Sequence, residues 1–196
     1  MTYFVTGATG FIGRYLVQSL LQQGKGTIYV LVRPKSIGKL DELREFWGKD
    51  SVKRVVPIKG DLGLPKLGVA KADLTKLKGK VKHFYHLGAV YDLEASAEAM
   101  EKANITGTKG ALEFAEAVNV GCFHLVSSIA AAGLYRGTFS EDMFEEAEEL
   151  DHPYHRTKHD SEAMVRANGR IPFRVYRPAM VLGHSQTGFI DKIDGP

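Results

Sequence analysis

Hydrophobic residues along the chain form short continuous runs that alternate with stretches where apolar positions recur every three or four residues. The continuous runs predict strands over residues 3–6, 27–32, 52–58, 81–87, 123–127 and 173–177. Helical spacing predicts helices over residues 11–21, 40–47, 95–118 and 151–168, with at most a short helix near Leu74. Gly107 and Gly110 are candidate interruptions of the third of these helices.

Six apolar strands separated by helices predict an α/β fold, a Rossmann-type doubly wound parallel sheet, because parallel neighbours require crossover connections. We expect residues 1–183 to form one NADP-binding domain. Residues 184–196 contain Gly, Asp and Ser and show no helix or strand pattern. They predict the start of a substrate-binding region that is largely absent from this chain.

Composition narrows the class of protein. The chain is 44% hydrophobic and 25% charged, which is typical of a globular domain, and its net charge of +3 is too small to indicate nucleic-acid binding. One cysteine, Cys122, allows no internal disulfide, so we expect a cytoplasmic protein. We find no secretory signal and no apolar stretch of about 20 residues, so no integral membrane segment is expected.

Three glycines, Gly7, Gly10 and Gly13, lie between the first predicted strand and the first helix. A sharp turn there lets the N–H groups and dipole of the helix N-terminus meet a pyrophosphate. We therefore predict a dinucleotide site formed by the whole turn, in which the glycines are joined by Thr9, Phe11 and Ile12.

The second strand ends in a basic residue where NAD sites usually carry an acid. Arg33 occupies that region, no acid precedes Asp41, and Lys39 adds a second positive charge. An arginine there fits a 2′-phosphate, so NADPH/NADP is the predicted cofactor. Asp61 follows the third strand and is interpreted either as a partner for the adenine amino group or as a turn-forming residue.

Tyr154 and Lys158 are four residues apart on a predicted helix and therefore share a face. A nearby lysine cation favours the phenolate form of tyrosine, which makes it usable as an acid or base. Ser127 and Ser128 end the fifth strand, at the sheet edge where this fold binds ligands. We predict Ser128, Tyr154 and Lys158 as the catalytic residues, with Ser128 donating to the substrate oxygen. Tyr154 and Lys158 are also predicted cofactor contacts, with Lys158 at the nicotinamide ribose.

With these motifs in order, the chain resembles the extended short-chain dehydrogenase/reductases, and within them the bacterial fatty acyl-CoA reductases and the thioester reductase domains of carboxylic acid reductases. The resemblance spans the chain and includes the segments at residues 60–62, 86–92, 104–108 and 176–183. It implies that Asn104 braces the cofactor loop and that residues 178–181 lie against the nicotinamide. The further cofactor contacts that it implies are Leu62, Leu87, Gly88, Ala89, Pro178, Met180 and Val181.

The resemblance implies an NADPH-dependent reductase of fatty acyl-CoA or carrier-bound acyl thioesters. Hydride addition forms a hemithioacetal that collapses to thiol and aldehyde, and a second hydride gives alcohol. The alternatives are a ketone or hydroxysteroid-type oxidoreductase, an NAD-dependent epimerase or dehydratase, and a non-catalytic NADP-binding regulator. A homo-oligomer is an alternative to a monomer that the sequence leaves open. Although His152, His155 and His159 are close in sequence, no acid or cysteine completes a set, and no metal is predicted.

Overall fold

The six predicted strands form one sheet in a computed structural model that describes residues 1–89 and 96–190. Every pairing is parallel and the strand order is β3-β2-β1-β4-β5-β6, so the predicted doubly wound fold is confirmed. The strands are β1 (Tyr3–Thr6), β2 (Ile28–Val32), β3 (Val55–Lys59), β4 (His83–His86), β5 (Cys122–Val126) and β6 (Phe173–Tyr176). Pro57 fits β3 because β3 lies at the edge of the sheet.

Helices connect consecutive strands. They are α1 (Phe11–Gln23), α2 (Gly38–Trp47), α3 (Ser51–Arg54), α4 (Lys71–Leu77), α5 (Ala97–Met100), α6 (Gly107–Ala117) and α7 (Pro153–Asn168). A π-helical segment, Glu101–Thr106, joins α5 to α6, and short 3₁₀ segments cover Pro34–Ser36, Pro65–Gly68 and Ile129–Ala132. Among the described residues, no helix has both the length and the apolar character that crossing a bilayer demands.

Two local predictions were wrong. Residues 52–54 belong to α3 rather than to β3, because Ser51 and Arg54 donate to backbone carbonyls of Gly48, Leu21 and Gly26 and so favour a helical turn. In the helix predicted over 95–118 the interruption expected around Gly107 is confirmed, because a π-helical segment ends at Thr106, but the one expected at Gly110 is wrong. Its irregular part precedes Gly107, and Gly110 packs against the backbone at Leu64.

An apolar layer covers one face of the sheet, and a second layer covers the other face over β1 to β3. One layer contains a cluster of buried rings, with Phe4 and Phe114 at 4.4 Å and Phe84 and Phe123 at 5.0 Å between centroids. The other packs α1 and α2 against β1 and β2 through residues such as Val17. Burying rings of this size supplies much of the folding free energy, and it holds the strand ends in fixed positions.

Candidate active site

The carboxyl ends of all six parallel strands meet at one edge of the sheet, and the predicted site residues lie there. Each strand contributes one segment. These segments contain Gly7 after β1, Arg33 after β2, Asp61 after β3, Gly88 after β4, Ser128 after β5 and Pro178 after β6. This edge is where doubly wound folds bind their ligands.

The glycine turn after β1 is shaped by close backbone contacts. Gly7 has a φ of +70°, and a Cβ on it would lie 2.9 Å from the Gly88 nitrogen. A Cβ on Gly13 would lie 2.0 Å from the Gly7 oxygen, so α1 packs directly on the turn. Gly10 precedes α1, and among the described residues no side chain caps the helix and no acid occupies its first turn. The exposed N–H groups fit a pyrophosphate.

A buried polar network lies beneath this turn. His86 Nδ1 is hydrogen-bonded to Thr6 Oγ1 at 2.8 Å, and His86 Nε2 to Thr108 Oγ1 at 3.2 Å. The Gly88 N–H donates to Thr6 Oγ1 at 3.1 Å. Burial, and then the charge of Lys158, lowers the pKa of His86 to about 3. The neutral imidazole therefore links β1, β4 and α6 under the glycine turn.

The residues predicted to discriminate NADPH from NADH follow β2, and the residue predicted to meet the adenine follows β3. Arg33 and Lys39 are both exposed, and the Arg33 carbonyl accepts from Ser36 N at 2.8 Å as a 3₁₀ segment begins. Asp61 Oδ1 accepts from Gly63 N at 2.8 Å, which shows the turn-forming role. Its contact with adenine stays a prediction.

Arg14 is a cation near the turn that was not predicted. It directly follows Gly13, and its guanidinium lies 5.5 to 5.9 Å from the ring centroids of Phe11, Tyr15 and Phe46. Cation–π contacts of this kind hold a guanidinium in place beside the turn. The sequence signal for it was the basic residue next to the third glycine.

The helix α7 carries Tyr154 and Lys158, both buried, and Lys158 contacts the end of β5. Pro153 occupies its first turn, and His152 Nδ1 caps it by accepting from Tyr154 N at 3.1 Å. Tyr154 and Lys158 are 5% and 6% exposed. Lys158 Nζ donates to the Val126 carbonyl at 3.5 Å, and burial lowers its pKa to about 8.

Ser128 lies two residues after Val126, whose carbonyl Lys158 contacts. Its Oγ accepts from Ala130 N at 3.1 Å, which leaves the hydroxyl proton free to be donated, and the residue is only half-buried. Ser127, in contrast, is 3% exposed. Of the two serines, Ser128 is thus the one whose hydroxyl is accessible from the sheet edge.

Asn104 lies in the π-helical segment and is 2% exposed. Its Nδ2 donates to Thr157 Oγ1 at 3.1 Å, and Thr157 Oγ1 donates to the Tyr154 carbonyl at 3.2 Å. This contact braces the helix α7. The bracing of the cofactor loop that the family resemblance implies stays a prediction.

A buried ionic cluster fixes the far end of α7. Glu162 is fully buried and accepts from Arg177 at 2.6 and 3.1 Å and from Arg166 at 2.8 Å. Burial alone would raise the pKa of Glu162, but the two arginines outweigh it and hold that pKa below its ordinary value. Arg177 also donates to the carbonyls of Ser140 and Met143. The cluster therefore ties α7 to β6 and to the loop before α7.

The segment after β6 begins next to Ser128, since Ile129 N donates to the Pro178 carbonyl at 3.2 Å. Met180 and Val181 are exposed, and Val181 lines an apolar cavity of about 570 Å³ together with Phe11 and Ile12. Contact of this segment with a nicotinamide stays a prediction.

The remaining predicted cofactor contacts follow β3 and β4. Leu62 packs against Gly88, Leu87 lines an open groove beside Val126, and Ala89 is exposed. Residues 90–92 of the motif over 86–92 lie outside the described residues, as do residues 191–196 of the predicted substrate-binding region. The roles of the described residues toward a cofactor stay predictions.

The chain is similar to several proteins whose names concern reduction or synthesis. It is 34% identical over 97% of its length to a subunit of the linear gramicidin synthase of Brevibacillus parabrevis, and covers 4% of that protein. It is 29% identical over 91% of its length to a putative fatty acyl-CoA reductase of Drosophila melanogaster, and covers 43% of it. The chain thus spans less than half the length of these relatives.

Two solved structures have the same fold. The terminal R domain from the myxalamid biosynthetic pathway matches with a TM-score of 0.85 and 30% identity, over 97% of this chain and 52% of that domain. A UDP-glucuronic acid 4-epimerase of Bacillus cereus, solved with NAD, matches with a TM-score of 0.71 and 26% identity, over 95% of this chain and 58% of the epimerase.

The family described as male sterility protein matches residues 5–196, which is nearly the whole chain. The matched range includes the glycine turn, the Ser128 segment and the Tyr154/Lys158 helix. The chain belongs to the male sterility protein family, a thioester reductase-type branch of the extended short-chain dehydrogenase/reductases.

Proposed function

We propose that this chain is the cofactor-binding part of an NADPH-dependent reductase of acyl thioesters, with fatty acyl-CoA or a carrier-bound acyl group as substrate. The observation that carries the proposal is the placement of Lys158. Its ammonium contacts the carbonyl of Val126, at the end of the strand that leads to Ser128. Tyr154 lies one turn away on the same helix, and the glycine turn lies at the same sheet edge.

Each of the three side chains has a distinct part in the proposed reaction. The bound cofactor supplies hydride to the thioester carbonyl carbon. Ser128 donates a hydrogen bond to the carbonyl oxygen as negative charge develops there, and Tyr154 transfers a proton to that oxygen. Lys158 stabilises the phenolate that remains. Collapse of the resulting hemithioacetal breaks the carbon–sulfur bond, so that thiol and aldehyde leave.

The preference for NADPH is supported by charge at the end of β2. Arg33 and Lys39 are exposed there, and the acid that pairs with ribose hydroxyls in NAD sites is absent from residues 33–40. A guanidinium pairs with a phosphate through two parallel hydrogen bonds. We therefore assign Arg33 to the 2′-phosphate.

The thioester class is supported by the relatives. One is called a fatty acyl-CoA reductase, and the R domain belongs to a pathway described as PKS-NRPS. Acyl-CoA and carrier-bound acyl groups share the reacting thioester and differ in what carries it. Assays with acyl-CoA and with acyl-carrier substrates distinguish these two possibilities.

The proposal is tested on the protein encoded by the complete gene. We expect NADPH oxidation that depends on an added acyl-CoA or acyl-carrier thioester, release of thiol, and an aldehyde or alcohol product by mass spectrometry. Tyr154→Phe should retain NADPH binding while turnover falls by at least about 100-fold. Tightly retained NAD⁺ with conversion of a nucleotide sugar, and no thioester reduction, would identify an epimerase instead.

A further inference from the structure

A second group of reactive side chains lies at the opposite edge of the sheet from the candidate active site. His83 and Cys122 are the first residues of β4 and β5, and the parallel register pairs them directly. His124 follows two residues after Cys122, and so lies on the same face of β5. These three residues, which we term the β4–β5 cluster, have no part in the proposed reduction.

The three potential ligand atoms are close enough to meet one ion. One ring nitrogen of His83, one of His124 and Cys122 Sγ all lie within 4.8 Å of one another, and His83 Nδ1 is 3.0 Å from His124 Nε2. Zinc holds nitrogen at about 2.0 Å and sulfur at about 2.3 Å, which puts tetrahedral ligand atoms roughly 3.3 to 3.7 Å apart. The observed 3.0 Å between the imidazole nitrogens and the 4.8 Å limit for the set bracket that spacing.

The surroundings of His124 resemble those of a metal-bound histidine. Its Nδ1 is hydrogen-bonded to the Tyr176 hydroxyl at 3.0 Å, which turns Nε2 toward His83. Its ring is stacked on Tyr85 at 4.3 Å and on Tyr176 at 5.9 Å. Metal-ligating histidines characteristically use their second ring nitrogen in such a bond, which fixes the orientation of the ring.

Solvent access to the β4–β5 cluster favours a bound cation, whereas a nearby positive charge opposes it. His83 and Cys122 are half-buried, so solvent reaches the cluster and can supply water as a fourth ligand. Arg174 on β6 acts electrostatically on all three groups, and its positive charge opposes a cation. The negative charge of a Cys122 thiolate opposes that of Arg174. A ligand set of two imidazoles and one thiolate suits a soft or borderline ion rather than Mg²⁺ or Ca²⁺.

We propose that the β4–β5 cluster binds one thiophilic divalent cation of the Zn²⁺ class through His83, Cys122 and His124, with water as the fourth ligand. On binding, the Cys122 thiol releases its proton to solvent and forms a metal–sulfur bond, while both imidazoles bind as neutral ligands. No electron transfer is involved. The ion would join β4 to β5 at the edge opposite the candidate active site.

The single cysteine makes the test specific. Untagged protein is titrated anaerobically with Co²⁺, which substitutes for Zn²⁺, and thiolate-to-cobalt charge-transfer absorption is recorded. Cys122 is the one cysteine of these 196 residues, and loss of the band in Cys122→Ser assigns the band to it. We expect one equivalent of Co²⁺ to produce the band, and one equivalent of Zn²⁺ to remove it.

Variants distinguish a metal site from a simple hydrogen-bonded pair of histidines. Cys122→Ser should abolish the band, and His83→Gln should weaken Co²⁺ binding at least about 10-fold. Tyr176→Phe should weaken it about 10-fold, and Arg174→Gln should strengthen it. His184→Gln, in an exposed histidine away from the cluster, is the matched control and should change nothing.

Two results would overturn the proposal. One is wild-type protein that gives no thiolate–cobalt band although its circular dichroism shows a folded domain. The other is Co²⁺ affinity that is the same in wild type, Cys122→Ser and His83→Gln. Neither measurement depends on NADPH or on an acyl thioester, so the proposal fails or holds separately from the proposed function.

Discussion

Arg177 reaches from the end of β6 to Glu162 on α7 and holds both carboxylate oxygens, at 2.6 and 3.1 Å. The Glu162 side chain is fully buried and that of Arg177 is 14% exposed. Two-point contact of this kind fixes distance and orientation together. The helix that carries Tyr154 and Lys158 is therefore attached to the strand that leads into Pro178.

We expect Glu162→Gln to lower the free energy of unfolding by about 3 to 5 kcal/mol, because it leaves a buried arginine without its counter-charge. Chemical denaturation at neutral pH measures this loss. Glu116→Gln is the matched control, since Glu116 pairs with the exposed Arg170 and should cost less than about 1 kcal/mol. Equal losses in the two variants would contradict the prediction.

The Arg177–Glu162 pair also predicts that folding stability depends on pH in the acid range. The folded-state pKa of Glu162 is lowered, so its contribution to stability is present above the unfolded value of 4.5 and is lost as pH falls through the folded value. The difference in stability between wild type and Glu162→Gln should therefore shrink as pH is lowered below about 4.5. Denaturation of both proteins across this range checks the direction.

Lys158 should reduce stability at neutral pH. Its folded-state pKa of about 8 lies below the unfolded value of 10.5, so folding disfavours the charged form. Lys158→Met should raise the free energy of unfolding at pH 7 by up to about 3 kcal/mol. The advantage should disappear as pH rises from 8 to 10.5, because the unfolded chain then binds more protons than the folded one.

Lys109→Met is the control for Lys158→Met, because Lys109 is exposed on α6. We expect it to change stability by less than about 0.5 kcal/mol at any pH in this range. A Lys158→Met variant that is less stable than wild type at pH 7 would show that the buried ammonium is compensated by its surroundings.

Gly13→Ala should prevent the close contact between α1 and the glycine turn. The added methyl would lie 2.0 Å from the Gly7 oxygen, and the obstructing atom belongs to the backbone. We expect a loss of at least about 3 kcal/mol in stability, together with loss of dinucleotide binding. Gly38→Ala, where the added methyl meets no atom within 4 Å, should change stability by less than about 1 kcal/mol.

Arg33→Ser should weaken NADPH binding about 10- to 100-fold and leave NADH binding unchanged, because one charge-assisted contact to the 2′-phosphate is lost. Isothermal titration with both nucleotides measures the two affinities. Lys25→Ser removes an exposed charge before β2, at the opposite edge, and should affect neither. Equal weakening of NADPH and NADH binding would show that Arg33 does not contact the 2′-phosphate.

Much of the fold was predictable because strand and helix patterns alternate clearly. The run over residues 3–6 is β1 as observed, and the parallel order follows from crossover connections. The helical turn Ser51–Arg54 was not predictable, because it depends on carbonyls about 30 residues earlier in the chain that Arg54 contacts only after folding. Tertiary contacts there outweigh local propensity.

Part of the candidate site was likewise predictable from the sequence, and part was not. The positions of Gly7, Ser128, Tyr154 and Lys158 were predictable because each lies next to a strand or helix end, and their roles stay predictions. The network of Thr6, His86 and Thr108 was not, because its members come from three separate elements. The β4–β5 cluster depends on strand register, which no local pattern reveals.

The helical run from Ala97 to Ala117 contacts both halves of the candidate site. From its π-helical segment Asn104 reaches α7, and one turn later Thr108 reaches His86 under the glycine turn. Four residues of one helical run therefore set the spacing between α7 and the glycine turn. Inserting or deleting one residue there would rotate these two side chains relative to each other by about 100° and break at least one of the two contacts.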